Sequence, residues 1–184
     1  FHLRKGVKFH NGREMTADDV KYSFDRILGN TDAGDIGALG SSASYYGGID
    51  SIEVVDPSTI QFKLKAPNAA FMANLTSSYG AIVPKEVVEA NGGSLAAIET
   101  MCGTGPFVYK DSVVDNYITL EKNPDYWNAG SPKLDGITYY LMADESTRLA
   151  ALRTGDINIC SLSALNLSEV QNDSSVKVLS YQSN

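Results

Sequence analysis

The chain has 184 residues, of which 43% are hydrophobic and 20% charged, and its formal net charge at pH 7 is −7. This composition is ordinary for a soluble globular protein that is long enough to bury a core. The acidic balance argues against nucleic-acid binding, because phosphate recognition needs a concentrated basic surface. No apolar run approaches the ~20 residues that cross a bilayer.

The first residues predict two short strands followed by a helix. Phe1–Leu3 and Val7–Phe9 are predicted as strands, and Asn11-Gly12 forms a hairpin-type turn. Thr16 occupies the N-cap of the helix, and the acids after it favour the positive end of the helix dipole. Because the chain opens directly on a strand, without a methionine or a leading loop, we expect it to be a piece of a longer protein.

Residues 30–102 are predicted to mix loops, strands and short helices. Asn30–Ser44 is rich in Gly, Ser, Ala and Asp, which predicts a mobile loop. Ile49–Val55 and Thr59–Leu64 are predicted strands, and the second alternates apolar and polar residues as a half-buried strand does. Further short helices are expected at three places: Ala69–Leu75, Pro84–Ala90 and Ser94–Thr100.

From Gly103 onward the pattern changes to longer strands. These are predicted at Phe107–Lys110, Tyr117–Glu121 and Gly136–Met142. Asp144 then caps a helix that Gly155 ends, and Ile157–Ile159 is the next predicted strand, so that Gly136–Ile159 would form a parallel β-α-β unit. The last residues predict a helix at Leu165–Gln171 and a strand at Val176–Tyr181. We therefore expect an α+β region at 1–102 and an α/β region at 103–184.

No group of residues in the sequence points to catalysis, a cofactor or a metal. His2 and His10 are the only histidines and lack partners at metal-ligand spacing, so we favour structural roles for both. Gly103-Thr104-Gly105-Pro106 resembles a phosphate loop only superficially, because a strand follows it and no Gly-Lys-Ser/Thr does. Cys102 and Cys160 lack C-x-x-C spacing; isolated thiols are favoured, and a disulfide between them stays an alternative.

Two segments are candidates for ligand binding. One follows the predicted mobile loop and presents Tyr45 and Tyr46, whose rings can stack on a ligand. The other precedes Pro84 and offers hydroxyl groups and open backbone at Ser77, Ser78 and Tyr79. The alternative is that all five are ordinary surface-loop residues. Asn123–Trp127 also contains aromatic residues, but we interpret it as a turn that anchors a strand connection on the core.

Several motifs carry a resemblance to a known family. Leu3-Arg4, Gly6–Phe9, Asn11-Gly12 and Thr16–Val20 resemble the early signature of the bacterial extracellular solute-binding proteins of family 5, the peptide and nickel class. Far downstream, further matches follow in the order the family shows: Gly103–Phe107, Asn123–Trp127, Asp135–Ile137 and Ala151–Ile157. Members of this family are the ligand receptors of ABC importers.

The resemblance implies a partial periplasmic-binding-protein-like fold (type II, cluster C). Residues 1–102 would form the small α+β subdomain of the first lobe, and 103–184 part of the main α/β lobe up to near the hinge, with the closing lobe absent. The candidate positions resemble stretches where family members contact ligand. The implied function is non-enzymatic capture of oligopeptides or dipeptides; a nickel chelate or another small solute, such as a sugar or opine, is the alternative.

The resemblance also implies a location and partners. The protein would be periplasmic or extracytoplasmic, or a cell-surface lipoprotein in a Gram-positive organism. Its partners would be the solute and the ABC transporter permease subunits, and it would associate with the membrane only through them or through a lipid anchor.

Overall fold

The computed structural model describes residues 1–30, 40–164, 166, 170–171 and 173–179. Its described helices and strands follow one another along the chain in this order: α1 (Ala17–Leu28), α2 (Gly40–Tyr46), β1 (Ile49–Asp56), β2 (Thr59–Leu64), α3 (Phe71–Asn74), α4 (Lys85–Ala90), β3 (Phe107–Val113), β4 (Tyr117–Lys122), β5 (Gly136–Tyr140) and α5 (Glu145–Thr154), with 3-10 turns at Ser78–Gly80 and Ile98–Thr100. The fold is therefore mixed α and β, as predicted.

The chain divides into two compact units. Unit 1 comprises residues 1–111 and 118–138, and unit 2 comprises 112–117 with the described part of 139–184. The predicted boundary at Gly103 concerns the lobes of a longer protein and stays a prediction.

Helix α1 forms as the sequence predicts and organises the core of unit 1. Its N-cap Thr16 donates its backbone N–H to the Asp19 carboxylate at 2.9 Å, and Gly29 ends it in the left-handed conformation at φ 79°. The apolar face of the helix packs on the β1-β2 sheet, with the Phe24 ring 5.0 Å edge-on from Phe62. The buried cluster is Ala17, Val20, Phe24, Ile27, Tyr46, Ile49, Ile60 and Phe71.

The first residues pair as predicted strands do, although the pairing is short. His2 forms a bridge with Thr59 beside β2, and Lys8 forms one with Glu14 across the Asn11-Gly12 turn. The N–H of Met15 donates to the Val7 carbonyl at 2.8 Å. The first bridge, together with the Ile60 N–H that donates to the Phe1 carbonyl at 3.0 Å, attaches the opening segment to β2, and the other two contacts close the hairpin itself.

Strands β3, β4 and β5 form a sheet in that order. Tyr117 and Tyr140 lie edge-to-face in unit 2 with ring centres 6.4 Å apart. Asp144 caps α5 by accepting from the Thr147 N–H at 2.7 Å, and Gly155 ends the helix at φ 82°, both as predicted.

Three predictions of secondary structure need correction. Residues 40–44 belong to α2 instead of a mobile loop; 31–39 lie outside the described residues. Residues 157–159 form no strand in the structure, so the β-α-β unit is wrong: Ile159 is exposed and no described strand pairs with it. The described residues 176–179 likewise form no strand. Most of the predicted helix at Leu165–Gln171, and the end of that last strand, lie outside the described residues.

Candidate functional site

The candidate residues come together where α2 meets the chain after α3. Helix α2 ends at Tyr46, and successive helical residues point about 100° apart, so Tyr45 and Tyr46 face different surroundings. The 3-10 turn Ser78–Gly80 places Tyr79 beside α2. The structure thus joins two segments that are more than thirty residues apart in sequence.

Tyr46 lies under the site and is fully buried, with 0% of its surface exposed. Its ring packs edge-on against Phe24 at 5.0 Å, and its hydroxyl donates to the Asn74 carbonyl at 2.8 Å. The Ser77 hydroxyl lies 3.4 Å from the Tyr46 hydroxyl oxygen. Tyr46 therefore positions the site and has no free surface with which to contact a solute.

Tyr45 and Tyr79 form a pair of exposed rings, which we call the aromatic ledge. Their ring centres lie 5.0 Å apart with 35° between the planes, and they are 43% and 42% exposed. The Asn74 side-chain amide donates to the Tyr45 carbonyl at 3.0 Å and fixes the helix end beneath the ledge. Ser78, next to Tyr79, is exposed. Four of the five predicted residues, with Tyr46 as their support, thus occupy one surface.

Gly80 limits the space at this site. A Cβ atom added at Gly80 would lie 2.6 Å from the Tyr46 hydroxyl, so only glycine allows this close approach. Sequence reasoning missed both Gly80 and Asn74 as residues that build the site. The Tyr79-Gly80 pair was a signal for a tight turn; nothing in the sequence showed that Asn74 would bond to both tyrosines of α2.

The chemistry available at the ledge is non-covalent. Aromatic faces stack on apolar or aromatic groups, and phenol and serine hydroxyls both donate and accept hydrogen bonds. Among the described residues, no group of three or more His, Cys, Asp or Glu could hold a metal ion. The ledge is suited to adaptable contact with an organic ligand.

The other sequence features have structural partners. The Asn123 side chain is buried and donates to the Gly105 carbonyl at 2.9 Å. Trp127 is 41% exposed and packs under the Arg4 guanidinium at 4.4 Å, so the prediction that this ring anchors the turn on the core is wrong. Cys102 and Cys160 are half-buried free thiols, so the favoured interpretation holds. No helix within the described ranges is long and apolar enough to cross a membrane.

Comparison with known proteins decides the family. The profile of the bacterial extracellular solute-binding proteins, family 5 (middle), matches residues 1–184. This chain belongs to that family. The match confirms the resemblance that the sequence motifs carried, and it covers both blocks of motifs.

Relatives in the family include peptide-binding proteins. The oligopeptide-binding protein AppA of Bacillus subtilis is 33% identical over 96% of this chain and 32% of its own length. The dipeptide-binding protein of Escherichia coli is 33% identical over 86% of this chain and 32% of its own length. The chain therefore spans about a third of the length of these relatives.

Solved structures confirm the fold. The structure of B. subtilis AppA in complex with a nonapeptide matches with a TM-score of 0.78 and 31% identity, over 94% of this chain and 34% of that one. The structure of AgaA from A. tumefaciens R10 with agropinic acid matches with a TM-score of 0.76 and 34% identity, over 85% and 30%. The chain thus has the architecture of part of a periplasmic-binding-protein lobe.

Proposed function

We propose that this chain is part of an extracytoplasmic receptor that captures oligopeptides or dipeptides and delivers them to the permease subunits of an ABC importer. The observation that carries the proposal is the 33% identity to an oligopeptide-binding protein along 96% of the chain. The receptor is not an enzyme: binding and release suffice. It reaches the membrane through the transporter or through a lipid anchor.

The aromatic ledge supports this function and suggests how the ligand is held. Peptide side chains differ in shape and charge, so a receptor with broad selectivity needs contacts that adapt. The rings of Tyr45 and Tyr79 offer a sequence-tolerant apolar surface, and hydroxyls at Ser77 and Ser78 can bond to ligand or to bridging water. Extended peptides commonly satisfy their main chain against exposed backbone.

The ligand itself is the first test. The receptor with its full native sequence is purified without refolding and examined by native mass spectrometry. We expect a heterogeneous set of short peptides bound to the protein. A single co-purified solute that is not a peptide would overturn the proposal.

An opine is the second candidate ligand. The structure of AgaA contains agropinic acid, and that protein is 34% identical to this chain over 85% of it. Competition decides between the two: a dipeptide mixture should displace a bound fluorescent peptide, and an opine should not. Displacement by the opine alone would favour the second candidate. The nickel chelate stays an alternative prediction.

Variants test the ledge separately from the ligand class. Tyr45→Ala or Tyr79→Ala should each weaken peptide binding by about 2- to 10-fold, because an aromatic contact contributes about 0.5–1.5 kcal/mol. Tyr139→Ala, at an exposed tyrosine of β5 that belongs to unit 2, is the matched control and should bind as the wild type does. Unchanged Kd values in both ledge variants would remove Tyr45 and Tyr79 from the site while leaving the receptor function intact.

A further inference from the structure

The turn at residues 103–106 is tied to two distant parts of unit 1. The His10 backbone N–H donates to the Gly103 carbonyl at 2.8 Å, which attaches the turn to the opening hairpin. Asn123, after β4, donates its side-chain amide to the Gly105 carbonyl at 2.9 Å, and its own N–H bonds to the Pro106 carbonyl at 2.9 Å. We call His10, Asn123 and residues 103–106 the turn latch.

Both ring nitrogens of His10 also bond to this turn. The Gly103 N–H donates to Nδ1 at 3.3 Å, and Nε2 lies 3.1 Å from the Gly105 carbonyl oxygen. A backbone N–H can only donate and a carbonyl oxygen can only accept, so Nδ1 must lack a proton and Nε2 must carry one. The contacts thus select a single form of the ring, the neutral Nε2–H tautomer.

Protonation of the ring is incompatible with half of this arrangement. An imidazolium has an N–H on each nitrogen, so Nδ1–H would point at the Gly103 N–H, donor against donor. The Nε2–H bond to Gly105 would survive, since it needs the same proton in both forms. A proton therefore removes one ring bond from the latch and leaves the other.

His2 provides an internal contrast. Its Nδ1 lies 3.2 Å from the Thr59 hydroxyl, which is exposed. The same hydroxyl bonds to the Asp56 carboxylate, so it can accept from an Nδ1–H, which both a neutral ring and a protonated ring can provide. Of the two histidines, only His10 has partners that a protonated ring cannot satisfy.

Several charged side chains lie on the elements around His10, and they have partners other than the ring. On the hairpin, Arg13 pairs with Glu86 of α4 at 2.7 Å; Lys8 pairs with Asp125 of the loop after β4 at 3.2 Å. Just before the turn, burial raises the pKa of the Cys102 thiol, which keeps it neutral near pH 7. Elsewhere on the hairpin, Glu14 accepts from the Gly6 N–H and Arg4 stacks on Trp127. The partners that touch the His10 ring are uncharged backbone groups.

We propose that the turn latch is proton-sensitive: the neutral His10 ring accepts a hydrogen bond from the Gly103 N–H, and protonation removes that bond while the backbone bond from His10 to the Gly103 carbonyl remains. The turn carries the chain from the segment before it into β3, so loss of this bond weakens the attachment of the turn to the opening hairpin at Gly103. The inference rests on the hydrogen-bond geometry of unit 1 and does not depend on the proposed ligand.

The test uses the protein with its full native sequence, labelled with 15N at histidine and glycine. At pH 7.5 the ring 15N shifts of His10 should show an unprotonated Nδ1 and a protonated Nε2. The sample is then acidified until the same 15N shifts show that Nδ1 of His10 has become protonated. At that point the exchange protection of the Gly103 amide, corrected for intrinsic rates, should have fallen about 2- to 10-fold, as for loss of one hydrogen bond.

Two variants sharpen the result. His10→Asn places an amide oxygen near the position of Nδ1, which accepts from Gly103 and does not titrate, so protection there should no longer depend on pH. His2→Asn, the matched control, should keep the pH response of the wild type. A neutral wild-type ring that carries its proton on Nδ1 at pH 7.5, or Gly103 protection that is unchanged once the 15N shifts show a protonated ring, would overturn the proposal without any variant being needed.

Discussion

Replacing Arg13 with alanine should destabilise unit 1 by about 3 kcal/mol, far more than an ordinary surface ion pair costs. The Arg13 guanidinium holds Asp19 through two bonds, at 2.6 and 3.0 Å. Only 5% of the Asp19 side chain is exposed, so losing Arg13 leaves a buried carboxylate without its counter-charge. Removing one partner of a buried pair typically costs about 3–5 kcal/mol. We take the low end because 39% of the Arg13 side chain is exposed, which screens the pair, and because the Thr16 N–H still bonds to Asp19 at 2.9 Å.

The second contact of Arg13 should contribute much less. Glu86 bonds to the same guanidinium at 2.7 Å, but 47% of its side chain is exposed. Exposed pairs contribute about 0–1 kcal/mol, so Glu86→Gln should cost under about 1 kcal/mol. Lys8→Ala is the matched control, since it breaks an exposed pair of the same hairpin, with Asp125 at 3.2 Å.

Urea unfolding followed by Trp127 fluorescence measures these differences. Trp127 is the only tryptophan and lies in unit 1 against Arg4, so its emission reports on the unit that carries Arg13. The expected order of destabilisation is Arg13→Ala well above Glu86→Gln and Lys8→Ala. Equal losses of unfolding free energy in Arg13→Ala and Lys8→Ala would show that the Arg13–Asp19 pair contributes no more than an exposed ion pair. That result would refute the reasoning from burial.

Three further predictions concern the core, the ledge and pH. Phe24→Ala should lower the free energy of unfolding by about 3–5 kcal/mol by opening a cavity beneath α1. An unchanged melting temperature in thermal denaturation would contradict this prediction. Gly80→Ala should lower the free energy of unfolding by about 1–3 kcal/mol through the clash with the Tyr46 hydroxyl. The penalty should be smaller in a Tyr46→Phe background, which lacks that oxygen. If urea unfolding shows that the two substitutions are additive, the clash is refuted. Bonds from Arg13 lower the pKa of Glu86 from 4.5 to about 2, so its contribution is complete above pH 4.5 and is lost as pH falls towards 2. The stability difference between wild type and Glu86→Gln should accordingly narrow from pH 6 to pH 3 in urea titrations, and a constant difference would contradict it.

Local sequence signals predicted the elements whose stabilising groups lie close together in the chain. Helices α1 and α5 have caps and glycine stops within the same short stretch, and both formed as expected. Strands β1 and β2 likewise follow from alternation around one turn. The predicted strand at 157–159 failed because a strand needs a neighbour to pair with, and residue patterning cannot supply one.

The candidate site shows the same division. The tyrosine and serine residues of two segments indicated binding chemistry, but nothing local in the sequence distinguished Tyr45 from Tyr46. Tyr45 is exposed in the ledge and Tyr46 is buried against Phe24, and this difference depends on where α2 packs. The Asn74 bonds to both tyrosines depend on the same packing.

By itself the sequence determined the family, the mixed α and β class and the ends of the principal helices, because these follow from motifs and from contacts between residues near in the chain. Only the tertiary structure decided which tyrosines are exposed, that Asp19 is buried and paired with Arg13, and that both ring nitrogens of His10 contact the 103–106 turn. Each of these depends on atoms that lie far apart in sequence or on burial, and folding alone brings such atoms within bonding distance.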